Sequence, residues 1–328
     1  MSVRTVERNG WDITRVTLPP VEVDVLPAKG ADILALRYMG LNLLWTSPWG
    51  LRPREELTAT DSTARFLQSY PGGWQTIFPN GGEPCVENGV EWGFHGEACM
   101  VPWRIDEVEE TEHEATVRLS TMLTSLPARV GKEVRVDAGG LHVTETIQNS
   151  GTEAFEAMWS QHPAFGAPLI SESSRIECDA TTFVTDAQRD VDAGDLQPGA
   201  RSAWPHATRR DGQAADLQIL ASPKQRRDRF GYLTDFKEGF AAITNSDLGL
   251  RVEMRWDTAI FPHAWYWLEA HATQGYPWFG DAYVFAIEPA SSYPGHGIAS
   301  VRAAGGTLVR FEPWEQKTAR TSLTVIAL

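Results

Sequence analysis

Short stretches in which apolar and polar residues alternate run along most of the 328-residue chain. RTVERNGWDITRVTL, VEVDVL, ATVRLSTML, KEVRVDAGGLHVTETIQN, EMRWD, YVFAIEP and TLVRFEPWEQKTARTSLTVI are rich in β-branched and aromatic residues. A period of two puts alternate side chains on opposite faces of a strand, so these stretches predict β-structure. Turn pairs punctuate them: Asn9-Gly10, Gly139-Gly140, Ser150-Gly151 and Gly305-Gly306. In LHVTETI the alternation runs Leu141, Val143, Ile147 and breaks only at Glu145. A short helix is predicted over 63–70, TARFLQSY, and no internal repeat or coiled-coil heptad is visible.

This many strands cannot close one small barrel. The expected fold class is all-β, two large antiparallel sheets packed face to face. We read residues 1–328 as a single domain with a polar, loop-rich excursion at about 185–228. Composition is that of a globular protein, 42% hydrophobic and 22% charged. The formal charge of −14 argues against nucleic acid or an anionic membrane as partner. The opening residues show no apolar leader, and no apolar run approaches the roughly 18 residues of a membrane span. Cys85, Cys99 and Cys178 are odd in number and lack C-x-x-C spacing, which fits reduced thiols and a cytoplasmic protein.

Three polar spots interrupt apolar surroundings. Residues 72–103 are dense in glycine, proline and tryptophan around Asn80, His95 and Glu97. MWSQHPAFG places Gln161 and His162 between Trp159 and Phe165. YVFAIEPASS ends an apolar run at Glu288. Each has a plain reading and a chemical one. Glu288 caps a turn at the rim, or it is desolvated and acts as a base near neutral pH. His162 is a satisfied core histidine or a general acid. His95, between glycines, is a turn residue or meets a ligand at close approach, and Asn80 is a turn residue or a ligand contact. Trp265 and Trp267 share one face of HAWYWLEA, as core filling or as platforms for the C–H face of a sugar. Among the residues from Arg209 to Arg227, the cationic side chains read as a solvated loop or a phosphate site. No P-loop, dinucleotide fingerprint, G-x-S-x-G or complete metal-ligand spacing is present.

These elements, in this order, resemble the aldose 1-epimerase (mutarotase) family and its hexose-6-phosphate epimerase relatives. GGWQTIFPNGG with GFHGEACMVPW, WSQHPAFG, and FAIEPASSYP carry the resemblance. It implies a galactose mutarotase-like β-supersandwich and an isomerase that interconverts the anomers of a free aldose without a cofactor or metal. His162 would be the general acid, Glu288 the base and His95 a supporting catalytic residue. Asn80, Gln161, Trp265 and Trp267 would bind the sugar. The family's sugar-binding aspartate and its arginine near the first histidine have no clear counterpart: Asp216, Asp228 and Asp235, and Arg65 and Arg104, are the candidates. The expected assembly is a monomer or homodimer. Two other classes fit the same residues: a non-catalytic carbohydrate-binding protein, and a glycoside hydrolase or lyase pairing Glu288 with Glu269 or Glu97.

Overall fold

A computed structural model describes residues 2–189 and 191–328. Among the described residues the chain forms a 12-stranded and an 8-stranded sheet, both antiparallel in the pairings between neighbours, with three two-stranded ribbons. The fold is a β-sandwich built on two large antiparallel sheets, the class that the strand pattern predicts. The first hairpin joins Ser2–Arg8 to Trp11–Leu18 through Asn9 and Gly10, both at positive φ (55° and 75°), as the Asn-Gly pair demands. The predicted helix is Ser62–Ser69, opened by Asp61, whose side chain accepts from the backbone N–H of Ala64 at 2.8 Å.

The centre of the larger sheet positions the site. Five strands lie side by side there: Trp74–Ile77, Ser160–Gly166, Tyr283–Ala290, His263–Ala270 and Arg227–Thr234. Alternation sorts their side chains. Ala264, Tyr266, Leu268, Phe285 and Ile287 enter the main core between the sheets. Trp265, Val284 and Ala164 lie in smaller clusters on the other face. Both faces are therefore covered, and strands buried twice over do not read as clean alternation. This is why SQHPAFG and WQTI escape a periodicity reading.

The 185–228 excursion is not simply solvated. It holds the strands Arg201–Ala203, His206–Thr208 and Ala214–Asp216. Its Leu196, Ala207, Ala215, Leu217 and Leu220 are buried in the main core. Five apolar residues spaced irregularly among charges give no period, so composition alone reads as loop. The three cysteines are free. No helix is long and apolar enough to cross a membrane.

Candidate active site

Glu288 does not end its strand, as the sequence reading expects. The strand runs to Ala290, and Glu288 stands mid-sheet opposite Trp265 on one side. On the other side lies the His162 strand. Pairing there is registered at Ser160↔Ala290 and resumes at Ala164↔Ala286. In the intervening gap His162 meets Glu288, with Nε2 to Oε1 at 3.6 Å. Each residue precedes a proline, Pro163 and Pro289. A proline has no N–H to give a ladder, so two prolines facing one gap explain why the pairing lapses there. The His-Pro and Glu-Pro dipeptides thus set both the chemistry and the opening.

The pair is deeply buried, at 5% exposure for His162 and 2% for Glu288. Burial pushes the Glu288 carboxyl well above its usual range, with the Arg189 charge pulling the other way. Burial lowers His162 to about 4. Both shifts favour neutral forms. Glu288 Oε2 is buried without a hydrogen-bond partner, an arrangement that native folds keep where a ligand completes it.

His95 stands next to this pair, its ring centroid 5.5 Å from that of His162. Its φ is +56°, and Gly96 follows at +76°. A Cβ on Gly96 would lie 2.5 Å from the Phe78 carbonyl, so only glycine fits. The backbone N–H of Gly82 donates to His95 Nδ1 at 3.1 Å, which leaves Nε2 as the protonated nitrogen of the neutral ring. Burial, then the neighbouring His162, lowers the His95 pKa well below the ordinary value. Phe66, Phe94 and Tyr70 pack around the two imidazoles. The Tyr70 hydroxyl lies 3.4 Å from His162 Nδ1.

His95, His162, Glu288, Trp265 and Trp267 line one cavity of about 590 Å³. Two of the residues expected there do not. Asn80 is fully buried beside it, where its amide donates to the carbonyls of Glu83 (3.0 Å) and Gly93 (2.9 Å) and accepts from Ile298 N–H (2.9 Å). It ties three loops together and has no atoms left over for a sugar. Gln161 points to the opposite face, because it neighbours His162 on a strand. There it accepts from Trp74 Nε1 (2.8 Å) and donates to Glu145 (2.6 Å). The two tryptophans differ as well. Trp265 is 2% exposed and holds Ser292 O through Nε1, and a Cβ on Gly81 or Gly295 would touch its ring at 2.9 and 3.1 Å. It is a covered wall. Trp267 is only partly buried, lines the cavity and lies 5.8 Å from the His162 ring.

Arg189 lines the cavity and escapes the sequence reading, because it lies in the polar excursion. Its Nε and Nη2 donate to Asp228 at 2.8 and 2.6 Å. Of the aspartates considered, only Asp228 is thereby linked to the cavity; Asp235 pairs with Arg201 at 3.1 Å and Asp216 lies 4.0 Å from Arg175. Arg104 pairs with Asp106, and Arg65 is exposed. Arg209 and Arg227 converge on Asp195, at 3.6 and 2.8 Å. Neither possible second carboxylate faces Glu288 across the cavity. Glu97 is held by the backbone and hydroxyls of Thr124 and Ser125, and Glu269 by Ala272 and Thr273. Among the described residues no group of three His, Cys, Asp or Glu side chains is gathered for a metal ion.

Solved structures place this site on a known kind of scaffold. A galactose mutarotase-like protein from Clostridium acetobutylicum superposes with a TM-score of 0.71 at 16% identity, over 100% of this chain and 99% of its own. A candidate aldose 1-epimerase from Escherichia coli K12 gives 0.65 at 19%, over 96% and 99%. A galactose mutarotase related enzyme from Lactobacillus acidophilus gives 0.61 at 15%, over 99% and 97%. At these identities the likeness establishes the fold. By sequence, the chain belongs to the family described as Domain of unknown function (DUF4432), whose model matches residues 8–325. No curated protein matches the chain.

Proposed function

We propose that this protein is an aldose 1-epimerase, interconverting the α and β anomers of a free sugar through Glu288 and His162. The observation that supports this reading is the buried pair itself: an imidazole and a carboxyl 3.6 Å apart, one carboxyl oxygen unpartnered, both open to a cavity. A hemiacetal carries two oxygens on its anomeric carbon. Glu288 takes the proton from the anomeric hydroxyl while His162 gives one to the ring oxygen. The C1–O5 bond breaks and C1 becomes a carbonyl. After rotation about C1–C2 the reverse transfers close the ring on the other face. No proton is gained or lost over the cycle.

Burial favours the neutral pair, so the working proton sits on Glu288. Moving it to His162 gives the carboxylate and imidazolium that ring opening needs. A hydroxyl donated by the sugar and the charge of Arg189 both stabilise that carboxylate. His95 Nε2–H and the Trp267 face hold the substrate beside the pair. Optical rotation of freshly dissolved α-glucose and α-galactose tests the reading directly. Acceleration by the protein, unchanged by a chelator, is the expected result. No acceleration with either sugar, or with their 6-phosphates, would overturn it for these substrates.

His162→Asn separates the acid from a binding residue. Turnover is expected to fall at least ~100-fold, with sugar affinity changed much less. A variant that binds weakly yet turns over normally at saturation would make His162 a ligand contact and not the acid.

A further inference from the structure

Besides the His162–Glu288 pair, the cavity is lined by His296 and Arg189, of which ring opening draws only on the Arg189 charge. His296 bonds Asp186 Oδ2 through Nε2 at 2.8 Å. The Tyr232 hydroxyl donates to the same oxygen and itself accepts from Gly295 N–H at 2.9 Å. Asp186 Oδ1 accepts the backbone N–H of Gln188 (2.9 Å) and of Arg189 (2.6 Å). Burial alone would raise this carboxyl; the bonds from His296 and Tyr232 outweigh it and hold it at about 2. One buried carboxylate, 2% exposed, therefore fixes both the His296 ring and the backbone of Arg189. A second, Asp228 at 3% exposure, clamps the Arg189 guanidinium from behind, over the Phe230 ring.

We propose that His296 and Arg189 form a specificity wall that binds hydroxyls of the sugar other than the anomeric one. This rests on the sugar reading of the cavity. The chemistry follows from the bonds already made. Asp186 takes up Nε2–H of His296, which leaves the other ring nitrogen, Nδ1, to meet a hydroxyl. Arg189 has Nη1, the nitrogen Asp228 does not hold, as a donor. A sugar hydroxyl both donates and accepts, so the wall matches a hydroxyl-bearing ring edge. The Arg189 cation is balanced by Asp228, and Asp186 adds a second negative charge beside the wall, which suits a neutral hydroxyl and not a phosphate. The rigid backing matters because a flexible side chain would lose rotamer freedom on binding.

The test uses galactose, glucose and their deoxy analogues, each lacking one hydroxyl. Affinity is read by tryptophan fluorescence or saturation-transfer NMR, and turnover by anomer exchange. His296→Ala is expected to weaken binding and raise KM about 10-fold for a sugar that is turned over, with kcat within about 3-fold. For the one deoxy sugar lacking the hydroxyl that is read, wild type and variant should bind alike. The same loss for every sugar, or no loss, overturns the proposal, since a merely structural link between loops would not track one hydroxyl. Tyr232→Phe, which keeps the histidine and removes one donor to Asp186, should raise KM less than His296→Ala. If sugars bind through His296 but no anomer exchange is catalysed, the epimerase reading fails and the wall stands. If His296→Ala exchanges anomers at the wild-type KM, the wall fails and the epimerase reading stands.

Discussion

Glu288→Gln will abolish most turnover and stabilise the protein at the same time. Loss of the proposed base should lower anomer interconversion at least ~100-fold. The stability gain follows from burial. Glu288 is 2% exposed, its Oε2 has no partner, and burial raises its pKa well above the ordinary value. A carboxyl whose pKa is raised on folding binds more protons in the native chain than in the unfolded one, across the interval between the two values. Native stability therefore falls as pH rises through that interval. Glutamine has no proton to lose. The difference in melting temperature between variant and wild type should thus be small near pH 4.5, open as pH rises, and reach about 2 °C or more by pH 8. His162 works on the acid side. Its pKa falls to about 4, so the unfolded chain takes up a proton first and stability drops between about pH 6.5 and pH 4. His162→Asn should make that acid limb shallower without removing it, because burial lowers His95 and His263 as well, and should leave the alkaline limb unchanged. Thermal unfolding across pH measures both. A Glu288→Gln protein no more stable than wild type at pH 8 would mean that the carboxyl is not held in the dry setting its role as a base requires.

The sequence carried the outer strands and the chemical pair better than the walls around it. Hairpins such as Ser2–Arg8 with Trp11–Leu18 announce themselves because one face is wet, which keeps the period of two visible. The central strands are covered on both faces and lose that signal. His162 and Glu288 could be picked out because each is a lone ionisable residue in an apolar run, followed by proline. Gln161 and Asn80 looked equally polar and equally placed. Their orientation depends on strand phase and on which carbonyls the loops bring near, and neither is written in neighbouring residues. Arg189, Asp186 and His296 come from segments about 100 residues apart, and only the folded chain brings them together. A single hint existed for the polar contacts behind His162, the break in alternation at Glu145.

Glu145→Ala should cost about 3–5 kcal/mol of stability, the usual loss when one member of a buried ion pair is removed. Glu145 is 1% exposed and faces the inter-sheet core. Lys132, its cross-strand neighbour, lies 3.5 Å away and is buried too. The carboxylate also accepts from Thr76 and from Gln161 Nε2 at 2.6 Å, both on the other sheet, and from Trp159 Nε1 at 2.9 Å in the segment that leads into it. It is thus an ionic tie between the sheets directly behind the His162 strand. Alanine leaves three donors without an acceptor and the Lys132 ammonium without its counter-charge, with the Ala31 carbonyl at 3.2 Å as its remaining acceptor. Urea unfolding followed by tryptophan fluorescence gives the loss. The double variant Glu145→Leu with Lys132→Met should recover much of it, because removing both charges also removes the cost of burying them. Thr76, Trp159 and Gln161 would still lack an acceptor, so recovery stays incomplete. A loss below about 1 kcal/mol in Glu145→Ala would match the median for solvent-exposed pairs and place water between the sheets at this point. The tie also bears on activity. Trp159 and Gln161 lie on either side of Ser160, just ahead of His162, so the bonds that secure the two sheets fix the strand that presents His162, the proposed acid. Sheet packing and the approach of His162 to Glu288 are therefore set by the same carboxylate, from opposite faces of one strand.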